Sequence, residues 1–214
     1  MEGRELKRPW WERLLDCVYV PCCPGCGRPG IYGLCGDCRK SAAPLKLPLT
    51  DYCTVYAGGT YSGPLKKAVL CCKKAEQTYL SYALCSCILE ALPEHLKGPQ
   101  RILCVPMPAN RRRRLERGFH LPELLARRLC RHFDSWIYSP QLLRLKYDLP
   151  PQKALTRHER FLNVSGAFEA GAVEGAYVVV VDDVMTTGAT LFEAARTLFA
   201  AGALRVDGIA VASA

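Results

Sequence analysis

The sequence contains no apolar run approaching the ~20 residues of a membrane-spanning helix. Met1 to Arg13 is charged and holds Pro9, Trp10 and Trp11, without the apolar core and cleavage site of a secretory leader. A cytoplasmic protein with no membrane span is therefore expected. Cysteine is too sparse for a disulfide scaffold: thirteen occur in 214 residues, and the number is odd. In a reducing compartment such thiols stay free or bind metal, so their spacing carries the information. Acid is short relative to base, 20 Asp and Glu against 29 Lys and Arg, for a net charge of +9. Apolar residues are plentiful. With 50% hydrophobic and 23% charged residues the chain can offset its ordering entropy, which excludes global disorder. Its length fits one α/β domain with a small module attached and excludes a large multidomain machine.

The positive charge is concentrated. Arg101 to His132 holds nine Arg against Glu116 and Glu123, a local balance of +7 that leaves the remainder at +2. Such a strip suits a polyanion: a phosphorylated small molecule, a nucleic acid backbone or an anionic lipid surface. A solvated helix face is the simpler alternative. Aromatic residues for base stacking are scarce in the strip, where Phe119 alone lies close.

Near the N-terminus, Cys23-Pro24-Gly25-Cys26 and Cys35-Gly36-Asp37-Cys38 form two C-x2-C pairs. Two residues between paired cysteines let both sulfurs reach one ion, and zinc takes four thiolates tetrahedrally. Cys23, Cys26, Cys35 and Cys38 are thus the candidate ligands of a structural Zn2+ in a zinc-ribbon-like module. Cys22 or Cys17 could replace one of them, and a redox pair is the rival reading. Residues 17–44 are assigned to this module, 1–16 to a tail and 45–214 to the main domain. Cys53, Cys71, Cys72, Cys85, Cys87, Cys104 and Cys130 lie within apolar patterns and read as core filler.

Tyr177 to Val181 is a β-branched run without alternation, as expected of a parallel strand buried on both faces. Asp182-Asp183 ends it. A loop, Val184 to Thr190, leads to a helical stretch, Leu191 to Ala201, and a second strand, Val206 to Ala212. Ligands of such β-loop-α-β units bind at the carboxyl ends of the strands. Thr186, Thr187 and Thr190 supply hydroxyls, Gly188 permits close backbone approach, and the helix start presents free amides, so the loop suits a phosphate. Two carboxylates beside it suit a diol and a magnesium ion. Together these describe a sugar phosphate.

Val178 to Thr190 resembles the thirteen-residue signature of type I phosphoribosyltransferases. The resemblance implies an α/β fold with a mainly parallel sheet flanked by helices. It also implies binding of 5-phosphoribosyl-1-pyrophosphate (PRPP) with Mg2+: Asp182 and Asp183 on the ribose hydroxyls, and Met185, Thr186, Thr187, Gly188, Ala189 and Thr190 around the 5′-phosphate. In such transfer an oxocarbenium-like cation forms as pyrophosphate departs, so nearby cations stabilise the transition state. Lys73 and Arg117 are the candidates, with Asp182 and Asp183 offsetting charge on the sugar. His120 and His158 are options for a general base by residue type only.

Elsewhere, Tyr52 to Ala57 and Ile102 to Val105 read as strands, and Gly63 to Ala75, Thr78 to Leu92 and His120 to His132 as helices. Tyr61-x-Gly63-Pro64-Leu65 followed by Lys73 forms one motif. Val105-Pro106-Met107-Pro108 followed by Arg111-Arg112 and Arg117-Gly118-Phe119 forms a second, and Gln152, Arg157 and Asn163 ahead of Phe168 form a third. In this order they resemble the ComF family of competence proteins, in which a short zinc module precedes a phosphoribosyltransferase domain. The family often continues Arg-Gly-Phe-Asn-Gln where this chain has His120-Leu121. The resemblance places a pyrophosphate loop at Val105, Pro106, Met107 and Pro108. It implies a phosphoribosyltransferase acting on an unidentified acceptor and linked to DNA uptake in natural transformation, with the acceptor hood drawn from the N-terminal half. The alternative is a non-catalytic factor that binds single-stranded DNA or an uptake helicase and uses PRPP as a regulator.

Overall fold

A computed structural model describes residues 20–109, 118–149 and 156–214. In chain order these form α1 (Gly36–Lys40), β1 (Leu45–Thr50), β2 (Cys53–Ala57), α2 (Gly63–Cys72), α3 (Ser81–Ala91) and α4 (Glu94–Lys97). There follow β3 (Ile102–Pro106), α5 (Leu121–His132), β4 (Trp136–Tyr138), β5 (Leu143–Leu145) and α6 (Arg157–Val164). The last elements are β6 (Phe168–Ala170), β7 (Tyr177–Met185), α7 (Ala189–Ala200) and β8 (Arg205–Ser213).

The valine run builds the centre of a six-stranded sheet ordered β1-β2-β8-β7-β3-β4, with β1 antiparallel to β2 and the other pairs parallel. Strand alternation divides the run between two cores. Val179 and Val181 pack with Leu84, Ile88, Leu125 and Leu129 on one face, whereas Val178 and Val180 pack with Leu191, Ala194 and Leu198 on the other. Helices thus cover both faces, α2, α3 and α5 on the first and α7 on the second. The separate antiparallel pair β5-β6 joins the α7 side through Leu143 and Phe168.

The order of connections creates one singular place. From β3 the chain crosses through α5 to β4 on one flank, and from β7 it crosses through α7 to β8 in the opposite direction. The carboxyl ends of β3 and β7 therefore lie side by side at a topological switch point, where open α/β sheets bind ligands. The Met107 N–H donates to the Val181 carbonyl at 2.8 Å, which extends the β3-β7 pairing into the Pro106-Met107-Pro108 turn.

At the opposite edge, fully buried Asp207 accepts from the Thr54 N–H (3.1 Å), Tyr177 Oη (2.5 Å) and Arg205 Nε (3.1 Å). His95 Nε2 approaches it at 3.5 Å. One carboxylate thereby ties β2, β7 and β8 together at their starts.

The sequence-based elements need several corrections. The strand expected to stop before the acidic pair continues through Met185, because β8 runs alongside it and Asp182, Val184 and Met185 pair with Ala210, Ala212 and Ser213. The helix expected over 63–75 ends at Cys72, and a 3-10 turn, Ala75–Leu80, intervenes before α3 starts at Ser81. The expected helix 191–201 begins two residues earlier, at Ala189. The strands β1, β4, β5 and β6 and the helix α6 had no expectation. Three of these strands span only three residues, too short to show a period. Of the core-filler cysteines, Cys53, Cys72, Cys85, Cys87 and Cys104 are buried, while Cys71 and Cys130 are half-buried.

Candidate functional site

Two sites emerge, one of sulfur and one at the switch point. In the first, the Sγ atoms of Cys23, Cys26, Cys35 and Cys38 all lie within 4.8 Å of one another. Zn–S bonds of about 2.3 Å in a tetrahedron put sulfurs roughly 3.8 Å apart, and Cys26 and Cys35 stand 3.7 Å apart. The local chain dictates this convergence. Turns through Gly25 and Gly27 fold the first pair, with the Gly27 N–H donating to the Cys23 carbonyl at 2.8 Å. Helix α1 starts directly after Cys35 and carries Cys38 inward.

The environment favours a thiolate. Burial opposes ionisation of Cys23, but backbone N–H groups of Cys35, Cys26 and Gly25 and the neighbouring Cys26 thiol bring it down to about 6. Cys38 is pushed up, by burial and by its three sulfur neighbours, as crowding without a cation requires. Four thiolates in this arrangement could hold zinc and would leave no open coordination position. Cys22 is exposed and directs its thiol to the Val20 carbonyl, away from the cluster; Cys17 lies outside the described residues.

The sulfur cluster sits directly on α2 and α3. A Cβ added at Gly25 would meet Pro64 at 2.7 Å, so the first knuckle rests against the start of α2. Lys67 Nζ donates to the Gly25 carbonyl at 3.2 Å, and Arg39 pairs with Glu90 of α3 at 3.2 Å.

At the switch point, Lys73 caps the end of α2, and its Nζ meets Asp183 at 2.8 Å with both side chains largely shielded. Alternation assigns Asp183 to the α2 face and Asp182 to the α7 face. The two carboxyls nevertheless share the strand tip, where the charge of Asp183 acts on Asp182. Each curls back onto the chain: Asp182 accepts from the Asp183 N–H and Asp183 from the Val184 N–H, both at 2.7 Å. Burial, then the charge of Asp183, pushes the Asp182 carboxyl up to about 7.

Beyond Met185, which is buried, the chain turns through Thr186 and Thr187 to Gly188, whose φ of +77° only glycine adopts without strain. A Cβ there would also meet Leu49 of β1 at 3.1 Å. Helix α7 then begins at Ala189, followed by Thr190. The first turn of a helix has amides without intrahelical acceptors, and Thr187 Oγ1 takes that of Ala189 at 3.4 Å. The loop can therefore present hydroxyls and N–H groups to an anion.

The structure brings Lys73, Asp182, Asp183, the 186–190 loop and the Val105, Pro106, Met107 and Pro108 turn to one region. Arg117 lies outside the described residues, as do Arg111, Arg112 and Gln152, and nothing is described of the His158 side chain. A cavity of about 390 Å3 opens beside the β3 end, with Met107, Pro108, His120, Glu123, Arg144 and Tyr147 among its walls. His120 thus faces a cavity.

One residue escaped the sequence reading. Arg160, on α6, donates from Nη1 to Thr186 Oγ1 at 3.2 Å. The signal was present: Thr156-x-x-Glu159 is a capping box, and it is formed, which starts a helix at Arg157 and projects Arg160 from its first turn.

A mainly parallel, doubly wound α/β protein with a tetracysteine module is the class these features define. Comparison with known proteins gives the family. The chain is 31% identical over 193 residues to DNA utilization protein YhgH of Escherichia coli (strain K12), covering 86% of this chain and 81% of that protein. It is 31% identical over 185 residues to competence protein ComFC of Bacillus subtilis (strain 168), covering 84% and 72%. It is 28% identical over 189 residues to competence protein F of Haemophilus influenzae, covering 83% and 78%. No family model matches the chain. The chain belongs to the ComF family. Among the described residues no helix is long and apolar enough to cross a membrane.

Two outcomes are expected. Elemental analysis should find a single zinc ion per chain, lost together with thermal stability in Cys35→Ser and retained in Cys22→Ser. Asp182→Asn should stabilise the ligand-free protein at neutral and higher pH. The folded-state value of about 7 exceeds the ordinary 3.8, so the native form holds the extra proton. The burden on wild type is absent below about pH 4, grows up to about pH 7 and is constant above, on the order of 2–4 kcal/mol. Urea unfolding of both proteins at pH 4, 6 and 8 measures it.

Proposed function

We propose that this protein is a magnesium-dependent phosphoribosyltransferase of the ComF type, with a type I phosphoribosyltransferase-like domain, that binds PRPP and acts in DNA uptake or utilisation. One observation carries the reading: the acid-tipped strand with its threonine loop meets the β3 turn and Lys73, both far from it in sequence, at the switch point.

In this reading Thr186, Thr187, Gly188, Ala189 and Thr190 hold the 5′-phosphate by hydroxyls and backbone N–H groups, and Asp182 and Asp183 accept from the ribose diol. The donor set suits a divalent ion as well, since two carboxylates at one strand tip repel until a cation or a donor pair relieves them. Magnesium would supply charge neutralisation of the pyrophosphate. The Val105 to Pro108 turn and Lys73 would face the leaving group, with Arg117 a further candidate. Transfer breaks the bond between ribose C1 and the pyrophosphate oxygen, whose electron pair leaves with pyrophosphate, while an acceptor lone pair bonds to C1. Carboxylates stabilise the positive charge on the ring as it develops.

The tetracysteine module would hold its zinc as a structural ion. Its seat on Pro64 and Lys67 lies at the start of the helix that Lys73 caps, which gives it a mechanical link to the site.

A second reading is supported by the names of the relatives, one a DNA utilization protein and two competence proteins. Here the basic strip from Arg111 to Arg117 and the zinc module bind single-stranded DNA or an uptake helicase, with PRPP as a regulator.

Titration calorimetry with PRPP should show binding that strengthens with Mg2+ and is lost when Asp182→Asn and Asp183→Asn are combined; unchanged binding in that variant overturns the transferase reading. For the second reading, affinity for a single-stranded oligonucleotide should fall steeply with salt and flatten when Arg111 to Arg114 are replaced by Ala. Absent or salt-insensitive binding removes it.

A further inference from the structure

The threonine loop has a charge deficit. Thr186-Thr187-Gly188-Ala189-Thr190 offers a phosphate only neutral donors, hydroxyls and backbone N–H groups. Among the described residues, Lys73 reaches the strand tip from the end of α2 and is engaged there by Asp183 on the other face of the sheet. A phosphomonoester is close to a dianion at neutral pH; its bonds to neutral donors are already charge-assisted, but only a cation brings opposite charge and a bidentate fork to it.

Helix α6 brings such a donor. Its hydrophobic side is fixed to α7 by Phe161, which meets Phe192 edge-on with centroids 6.0 Å apart. Past its end, the Gly166 N–H donates to Glu193 of α7 at 2.7 Å, and Arg196 holds that same carboxylate at 2.6 Å. Anchored at these points, α6 lays Arg160 over the loop, with Nη1 on Thr186 Oγ1. A guanidinium only donates, so this bond uses a lone pair of the hydroxyl and leaves its proton free to turn toward an anion. The guanidinium and the Thr186 hydroxyl can then donate to neighbouring oxygens of one phosphoryl group.

We propose that Arg160 is the cationic clamp of the threonine loop: it grips the terminal phosphoryl group of a sugar phosphate and makes the site select phosphorylated over unphosphorylated ribose. The inference rests on reading that loop as the seat of the PRPP 5′-phosphate, and it adds a residue from a different element to that seat. Arginine suits the task because its planar fork can address two phosphoryl oxygens, whereas a lysine would act as a point charge.

The test is calorimetry with PRPP, ribose 5-phosphate and inorganic pyrophosphate, each titrated separately into wild type, Arg160→Gln and Arg160→Lys, with thermal melts as a folding control. The clamp requires Arg160→Gln to lose about 10- to 100-fold affinity for both PRPP and ribose 5-phosphate. Pyrophosphate binding should stay within about twofold, and Arg160→Lys should recover part of the loss. Equal affinity of wild type and Arg160→Gln for ribose 5-phosphate overturns it, as does a loss confined to PRPP and pyrophosphate. Wild type that binds ribose 5-phosphate through Arg160 but ignores PRPP keeps the clamp and overturns the transferase reading. Wild type that binds none of the three overturns both.

Discussion

The parallel pairing of β7 between β3 and β8 is the constraint on which the molecule turns. It buries Val178 to Val181 on both sides, and because β8 continues beside it through Ser213, it holds the strand extended past the acidic pair to Met185. Two carboxylates at the rim of an apolar core are costly, and the rise in the Asp182 proton affinity shows where that cost falls. It is offset in part by backbone N–H donors and by Lys73. A polar cluster maintained at the end of a hydrophobic strand, at the place where chain direction reverses, is where this architecture accepts a ligand.

The small module obeys a different physics. Its buried apolar cluster consists of Cys23, Cys35 and Cys38 with Ile31 and Leu34 beside them, too little to fold alone. Metal coordination is what such a segment has available, and binding free energy then acts as folding free energy. The module is nevertheless no loose appendage. Gly25 against Pro64 and Arg39 with Glu90 set it on two of the three helices that cover one face of the sheet.

Much of the main site was legible from local pattern. A valine run with no alternation, an acidic pair, and a loop of threonines around one glycine each carry their own chemistry, and the structure places them in one strand-loop-helix. The paired C-x2-C spacing likewise nominates four sulfurs but leaves Cys22 open, and only the fold turns the Cys22 thiol to the Val20 carbonyl. Arg160 went unread although its capping box was there, since a cap announces a helix and not the neighbour it will lie against. The extension of β7 went unread for a related reason: Asp-Asp looks like a strand terminator until a partner strand supplies hydrogen bonds.

Side-chain periodicity and cysteine spacing, properties of residues a few positions apart, were enough to mark the central strands and to nominate one loop for an anion and four thiols for an ion. Pairing between distant strands was not marked, because parallel neighbours are joined by long crossovers whose order no local pattern encodes. Only the folded chain decided that β3 and β7 adjoin, that Lys73 reaches Asp183, and that Arg160 meets Thr186. Those contacts depend on helices docking across the two faces of one sheet, and docking is a property of surfaces assembled from the whole sequence.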